Sequence, residues 1–303
     1  MNSRCRFLFA AAVTVWSFTA AAASAQTTLR YKFKEGDNLK YTIDQKMKMT
    51  MNIMGNAVDM NMNQISDMVW SIKSVDSEGN AKIAVKFGRN KMTMDGPQGK
   101  TQVDSDSTEE PDDPVGQILY KVIKGLAGLE VTGTISATGE YSDITIPEKA
   151  IKELKNLPGG EMFGDMFTAD GIKRMMSQSG LVMPKEAVEK GKSWKSKSEM
   201  KMPFGKMIAE IDYSYAGPSE KDGRTVEKIT LKPKATLEPS PNAPFTMKLK
   251  SHEGTGTALF DNAAGRLLEV TNQQTMDMEL DVMGMTINQR MVQTTTMRLA
   301  DKK

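Results

Sequence analysis

The side chains in this sequence with the clearest chemical potential are methionines that recur at every second position. The chain has 25 methionines. A thioether is a soft ligand for Cu(I) or Ag(I), and alternation along a strand places neighbouring sulfurs on one face. The same flexible side chain also fills irregular cores, so core filling is the preferred interpretation and a metal site is an alternative. Met-x-Met pairs begin at Met47, Met49, Met60, Met92, Met200, Met276 and Met283.

Other chemical patterns in the chain are incomplete. His252 is the single histidine, and no Gly-x-Ser-x-Gly motif supplies a nucleophile for it, so we expect an exposed strand histidine. Two fragments resemble a phosphate-binding loop, at 99–101 and 191–193, but each lacks the first glycine of that motif. The acidic segment 104–113 fails the calcium-loop pattern, because Glu109 stands where glycine is required. We therefore assign no catalytic, cofactor-binding or metal-ligating residue.

Residues 1–25 have the pattern of a signal peptide. Arg4 and Arg6 precede an apolar stretch, and Ala23-Ser24-Ala25 is a typical cleavage site. Cleavage leaves a mature chain without cysteine, with 38 acidic residues against 38 basic ones, the 40 of the full chain less these two arginines. Such a balance argues against a nucleic-acid partner. We expect an exported bacterial protein, periplasmic or extracellular, with no transmembrane segment in its mature part; the oligomeric state is left open.

The alternating methionines belong to long predicted hairpins. In the first hairpin, over 38–73 with a turn at Met54-Gly55, residues 47, 49 and 51 face 62, 60 and 58, so every facing pair is apolar. A second hairpin turns at Met283-Gly284. Shifting residues 41–73 by 229 positions gives ten identities with the second hairpin. An internal duplication explains the identities, and so do two strands built independently from the same methionine-rich alternation.

The middle of the chain is predicted to be helical. Asp113-Pro114 is a typical helix start, and apolar residues keep helical spacing from Val115 to Leu126. Further helices are predicted at 147–157 and 168–180. The segment 158–167 between them is rich in glycine, phenylalanine and methionine, and we expect it to act as a lid over an apolar surface. Other strands are predicted at 80–95, 128–146, 193–202, 206–216, 223–232 and 244–272.

Several motifs resemble those of a family of exported bacterial proteins of unknown function. Pro184, Val188 and Gly191-Lys192-Ser193-Trp194 match a Pro…Val-x-x-Gly-x-Ser-Trp pattern at the start of a strand. Phe260-Asp261 with Gly265-Arg266-Leu267 matches a Phe-Asp-x-x-x-Gly-Arg-Leu hairpin. Lys192 replaces the acidic residue usual in that family. The resemblance implies an antiparallel β architecture, with a distant likeness to the curved sheets of lipoprotein carriers, and it implies no activity or catalytic residue.

These patterns predict an α+β fold that is mainly antiparallel β, with long strands in a strongly curved or partly closed sheet and a central helical insert. The predicted regions are the signal peptide 1–25, an N-terminal β hairpin region 26–103, an acidic loop and helical insert with short strands 104–192, and a C-terminal β region 193–303. The preferred function is a non-catalytic module that binds an apolar ligand or an envelope partner. The alternatives are a Cu(I)/Ag(I)-binding protein, a structural envelope protein and a carboxylate-dependent hydrolase.

Overall fold

The fold is known from a computed structural model. It describes residues 26–53, 55–156, 171–172, 176, 180–202, 204–241, 243, 245–282 and 284–300. The predicted signal peptide, the proposed lid segment and most of the third predicted helix lie outside these residues. Within the described part, no helix is both long enough and apolar enough to cross a membrane.

Antiparallel strands make up most of the structure, as predicted. Two helices are described over their full length, so the helical share of the predicted α+β class is small. The short strand β4 was not predicted. The strands are β1 Asn38–Ile53, β2 Asn56–Val75, β3 Ala81–Gly96, β4 Gly99–Asp104, β5 Glu130–Ile135, β6 Tyr141–Thr145, β7 Ser193–Met202, β8 Gly205–Lys221, β9 Arg224–Pro239, β10 Thr246–Asp261, β11 Arg266–Val282 and β12 Met285–Leu299; the helices are α1 Pro114–Leu126 and α2 Glu148–Lys155.

All twelve strands belong to one sheet with the order β6-β5-β3-β2-β1-β12-β11-β10-β9-β8-β7, and β4 pairs with β3 beside this path. The sheet is open, because β6 and β7 are its two edges. The first and last long strands, β1 and β12, are neighbours at its centre. The two methionine-rich hairpins therefore lie side by side.

The register of the first hairpin confirms the prediction. Met47 pairs with Met62, Met49 with Met60 and Met51 with Val58. Gly55 adopts a φ of 84°, which suits glycine in a tight turn. Its N–H donates to Asn52 Oδ1 at 3.0 Å, and this bond helps to fix the turn position.

Helix α1 begins where the sequence indicates. The side chain of Asp113 accepts a hydrogen bond from Gly116 N at 2.7 Å, and proline follows at the first helical position. Thr101 of β4 donates to the same carboxylate at 3.1 Å. The helix cap is thereby tied to the sheet.

One end of the sheet, which we call the base, holds the fully buried core. Trp70, Tyr41 and Tyr213 are its largest members, each at most 2% exposed. By register they lie on the same face of the sheet, which we call the inner face. The further buried residues of the inner face at the base include Ile83, Val85, Val131, Ile229, Leu231, Ala258, Phe260, Leu267 and Met297.

The N-terminal segment 26–37 crosses this base and ties distant strands together. The ring of Tyr31 lies 5.3 Å from that of Phe260 in an edge-on contact. Burial raises the pKa of Tyr31 well above its usual value, and Tyr41, Tyr141 and Tyr213 raise it further by their charges. Backbone N–H groups of the segment donate to the loops around the base: Thr27 to Val188 O, Tyr31 to Ala137 O, Lys32 to Gly265 O and Gly36 to Ile72 O.

The sheet must therefore curl around the segment 26–37. An eleven-strand flat sheet would span roughly 48 Å at about 4.8 Å between strands. Yet the segment contacts both ends of this strand order: Tyr31 N donates to Ala137 O at 2.9 Å between β5 and β6, and the Thr27 hydroxyl lies 3.3 Å from that of Tyr215 on β8. The curvature is concave toward the inner face.

A second bend occurs between β9 and β10. These strands pair only over Glu227–Leu231 and Gly256–Phe260. Farther from the base, a Cβ placed on Gly254 would lie 2.4 Å from Pro233 Cγ, so the proline ring covers the inner face of β10. Ala235 N also donates to Nδ1 of His252, at 3.2 Å. The far part of β9 thus folds over the inner face of β10, an arrangement that we call the fold-over.

Candidate ligand-binding face

The inner face between the buried base and the hairpin tips has an unusual composition. Ten strands contribute to it: β1 to β4 and β7 to β12. None of their inner-facing positions in this region is Asp, Glu, Lys or Arg, as the strand registers show. The first charged residue met on this face is Glu227 at the base, which accepts a hydrogen bond from the hydroxyl of Tyr215 at 2.5 Å.

Charged side chains occupy the opposite, outer face. Lys195 lies 3.0 Å from Glu210 and 2.9 Å from Asp212, and their contacts raise the pKa of the lysine. Lys248 and Lys250 both contact Glu279 and lower the pKa of that carboxyl. The three lysine side chains are at least half exposed, so each pair adds little stability. These ion pairs keep the outer face of the sheet hydrated, in contrast to the uncharged described residues of the inner face.

Methionines form continuous rows across the inner face. Met276, Met291, Met49 and Met60 are successive cross-strand neighbours on β11, β12, β1 and β2, and we call them the methionine row. Met47, Met62 and Met94 form a shorter row beside it. All are partly buried, and none belongs to the fully buried core. The predicted inward direction of these side chains is confirmed, but most of them do not fill the core.

A row of polar, uncharged side chains separates the methionines from the base. Asn272, Thr295, Gln45 and Gln64 are successive neighbours on the same four strands, and we call them the amide row. Asn272 Oδ1 is buried and accepts no hydrogen bond from the described residues. Sequence reasoning missed this row, although these residues share the parity of the methionines on each strand.

A cavity of about 460 Å³ opens beside the amide row. In the described part of the chain, the cavity is lined by β1 to β3, by the end of α1, by the residues that follow it and by Ile172. The walls are mostly apolar. The lining residues are Ile43, Gln45, Gln64, Ser66, Asp67, Met68, Phe87, Gly88, Arg89, Asn90, Leu126, Ala127, Leu129 and Ile172.

Both charged residues in the described lining, Asp67 and Arg89, bond to partners on the outer face of the sheet. Arg89 donates from Nε to Asp104 Oδ1 at 3.0 Å and also contacts the second oxygen of that carboxyl. Arg89 holds the pKa of Asp104 at about 2. Asp67 accepts from the hydroxyl of Thr42 at 2.9 Å. Among the described residues, the polar groups left to face the cavity are therefore amides and a hydroxyl.

The amides at the cavity are incompletely bonded. Gln64 Nε2 donates to Asn90 Oδ1 at 3.2 Å and to Ser66 Oγ at 3.3 Å. The side chain of Gln45 makes no hydrogen bond with the described residues. Each glutamine can donate two hydrogen bonds and accept two. Donors and acceptors thus remain for a bound molecule.

His252 differs from expectation. It is partly buried at the end of the methionine row, next to Met276, and not exposed. Nδ1 accepts from Ala235 N, and Nε2 lies 2.9 Å from Gln274 Oε1. An unprotonated Nδ1 and an Nε2–H donor satisfy both bonds, so the neutral tautomer fits here. The fold-over, which brings β9 above β10, explains the burial.

The other sequence features lie apart from the cavity or have structural roles. Residues 99–101 begin β4 and residues 191–193 precede or begin β7, so neither fragment leads into a helix. Within the acidic segment, Asp104 pairs with Arg89 and Asp113 caps α1. In the described part of the chain, no three His, Cys, Asp or Glu side chains are grouped as a metal site.

Several solved structures are similar to this chain over most of its length. Lipovitellin aligns over 89% of this chain at 11% identity, with a TM-score of 0.47, and the alignment spans 25% of the lipovitellin chain. A Bacteroides fragilis protein described as exported, with a YmcC-like fold, aligns over 91% of this chain and 100% of its own, at 9% identity and a TM-score of 0.26. An outer membrane channel from Pseudomonas putida aligns over 88% and 97%, at 6% identity and a TM-score of 0.25. These values do not define a function.

Fold and face together define a mainly antiparallel, open-sheet protein whose described inner-facing strand residues carry no charge between the base and the hairpin tips. No curated protein matches the sequence significantly. The chain belongs to a family of unknown function, DUF6263, whose sequence profile matches residues 78–303. The individual motifs behind the resemblance noted above, such as Pro184 to Trp194, stay a prediction.

Proposed function

We propose that this protein is exported and binds an apolar molecule on its inner face, without catalysis. The observation that carries the proposal is the absence of charged side chains from that face between the base and the tips of ten described strands. A charged residue at any of these positions would hold water there. The adjoining cavity, of about 460 Å³, lies within the range of small-molecule sites.

The use of methionine supports binding of a ligand more than a rigid scaffold. Valine and isoleucine are better strand formers, and they specify a single packing. Methionine has a flexible, polarizable side chain that adapts to different partners. Its concentration in the rows outside the buried core, as at Met49 and Met291, suits a surface that changes its contacts when a molecule binds.

Paired substitutions on neighbouring residues test the proposal. Met62 faces inward and Asn63 faces outward on β2, so Met62→Lys charges the inner face and Asn63→Lys charges only the outer one. The readout is binding of N-phenyl-1-naphthylamine, a dye that fluoresces in apolar surroundings. We expect Met62→Lys to weaken dye binding by about tenfold or more and Asn63→Lys to leave it unchanged.

Equal dye binding by wild type and both variants would contradict the proposal, and so would a wild-type protein that binds no apolar probe. The latter result would favour a structural envelope protein. Melting temperatures of the three proteins separate lost binding from lost folding.

Soft-metal binding is a second candidate, because the methionine row ends beside His252. Thioethers on adjacent strands can approach one Cu(I) ion, and an imidazole is a common additional ligand. The existing hydrogen bonds of His252 to Ala235 and Gln274 oppose this use. Titration with Cu(I) separates the candidates: stoichiometric uptake that is lost in Met49→Leu would favour metal, since leucine preserves the apolar face.

The described residues of the inner face offer no pair of carboxyl groups for the alternative of a carboxylate-dependent hydrolase. Such chemistry requires two carboxyl groups across an open cleft. Among the described inner-facing residues beyond the base there is no carboxylate, and Glu227 is bonded to Tyr215.

A further inference from the structure

The geometry points to an uncharged amphiphile as the ligand, with a hydroxyl- or carbonyl-bearing head at Gln45 and Gln64 and its apolar chain along the cavity wall. This inference rests on the proposed function and specifies its ligand. It follows from the position of the amide row. Gln45 and Gln64 of this row line the cavity, and the methionines lie on the opposite side of the row from the base.

The polar part of the cavity is suited to an uncharged head. A carboxylate or phosphate would require a free cation, but Arg89 is held by Asp104 and lies 3.7 Å from Asp106. A cationic head would require an anion directed into the cavity, but Asp67 pairs with Thr42 on the outer face and accepts a hydrogen bond from it there. A side-chain amide can donate two hydrogen bonds and accept two, so it can bind a hydroxyl or an ester carbonyl.

The unused hydrogen-bonding capacity of the amide row points the same way. Gln45 has no side-chain partner among the described residues, and Gln64 uses only its NH₂ group, toward Ser66 and Asn90. A molecule that fills the cavity would remove these amides from water, and a buried polar group without a partner costs stability. A head group with hydroxyls would satisfy them.

The apolar part of the cavity is suited to a hydrocarbon chain. Its described apolar lining includes Met68, Phe87, Leu126, Leu129 and Ile172, and Leu129 lies beside Phe87, whose N–H donates to Leu129 O at 2.9 Å. Each CH₂ group of a chain that leaves water tightens binding by about fourfold. The head therefore supplies selectivity, and the chain supplies most of the affinity.

Ligands that share one chain and differ in their heads test this inference. The mature protein is titrated with 1-monolauroylglycerol, laurate and lauroylcholine, each in competition with N-phenyl-1-naphthylamine. We expect monolauroylglycerol to bind about tenfold more tightly than either charged ligand. Gln45→Leu and Gln64→Leu should remove that preference while dye binding persists. Asn63→Leu, on the outer face of the same strand, should preserve it.

A gain-of-function variant guards against simple misfolding. Gln45→Lys places a cation at the cavity and should shift the preference toward laurate. Equal binding of all three ligands, or preference for a charged head in the wild type, would overturn the inference while the proposed function stands. If neither the dye nor any lauroyl ligand binds, both are overturned.

Discussion

Gly254 shows how a single residue permits the fold-over. Its inner side is occupied by Pro233, whose Cγ and carbonyl oxygen would lie 2.4 Å and 2.8 Å from an added Cβ. Contacts this short force the backbone apart. Glycine is therefore needed here for space rather than for an unusual φ.

We predict that Gly254→Ala lowers the free energy of unfolding by about 1–3 kcal/mol, because β9 must move away from β10. Urea denaturation measures the change. Gly96→Ala is the matched control: Gly96 is also in a strand, and the nearest atom to its added Cβ is Met60 Cγ at an ordinary 3.7 Å. Equal effects of the two substitutions would show that the close approach of β9 is absent in solution.

The ion pair between Asp104 and Arg89 at the cavity rim makes the folding stability depend on pH. The hydrogen bond from Arg89 is the main reason that the folded-state pKa of Asp104 is about 2, whereas the pKa of an unfolded aspartate is about 3.9. The stabilisation is therefore present above about pH 4 and is lost as the pH falls toward 2.

Replacement of the arginine tests this contribution. We predict that Arg89→Gln lowers stability near neutral pH and that the difference from wild type shrinks as the pH falls to about 2, since the Asp104 carboxyl then becomes protonated. Thermal melts over this pH range measure it. A difference that stays constant with pH would contradict the pairing.

Helix α1 connects the sheet to the cavity, because its last turn supplies Leu126 to the lining. Its start depends on Asp113, which binds Gly116 N and the hydroxyl of Thr101. Stability and ligand binding should therefore be linked through this cap.

We predict that Asp113→Ala costs about 1 kcal/mol of stability and weakens binding of the apolar dye. Asp112→Ala is the control, since Asp112 is exposed beside it. Equilibrium unfolding and dye titration measure the two effects. Unchanged dye binding in a destabilised Asp113→Ala protein would show that α1 does not shape the site.

The two methionine hairpins show what strand parity can predict. The sequence shift of 229 positions carries the pair Met47 and Met62 onto Met276 and Met291, and the structure pairs both sets in the same register. Parity and turn glycines fix such pairings locally. Whether this similarity arose by duplication stays a prediction.

The arrangement of the whole sheet was less accessible to prediction. The segment 26–37 closes the base through contacts with residues more than a hundred positions away, such as the bond from Thr27 to Val188. Neither periodicity nor turn chemistry encodes those contacts. The same holds for the fold-over, which buries His252 and made its predicted exposure wrong.

The amide row could be predicted from the sequence only in part. Gln45 and Gln64 share the parity of the inward methionines, so their direction could be predicted from the sequence. Their meeting with Leu126 and Ile172 at one cavity could not, because helix α1 and Ile172 reach the sheet from other parts of the chain. Long-range packing, and not local pattern, creates the site.

The central proposal is that the uncharged inner face binds an apolar molecule. Native mass spectrometry of protein purified without detergent from its own cell envelope tests this most directly. We predict a mass above that of the chain, released by organic solvent as an uncharged amphiphile and absent from Met62→Lys. A ligand-free protein, or a bound mass retained by Met62→Lys, would contradict the claim.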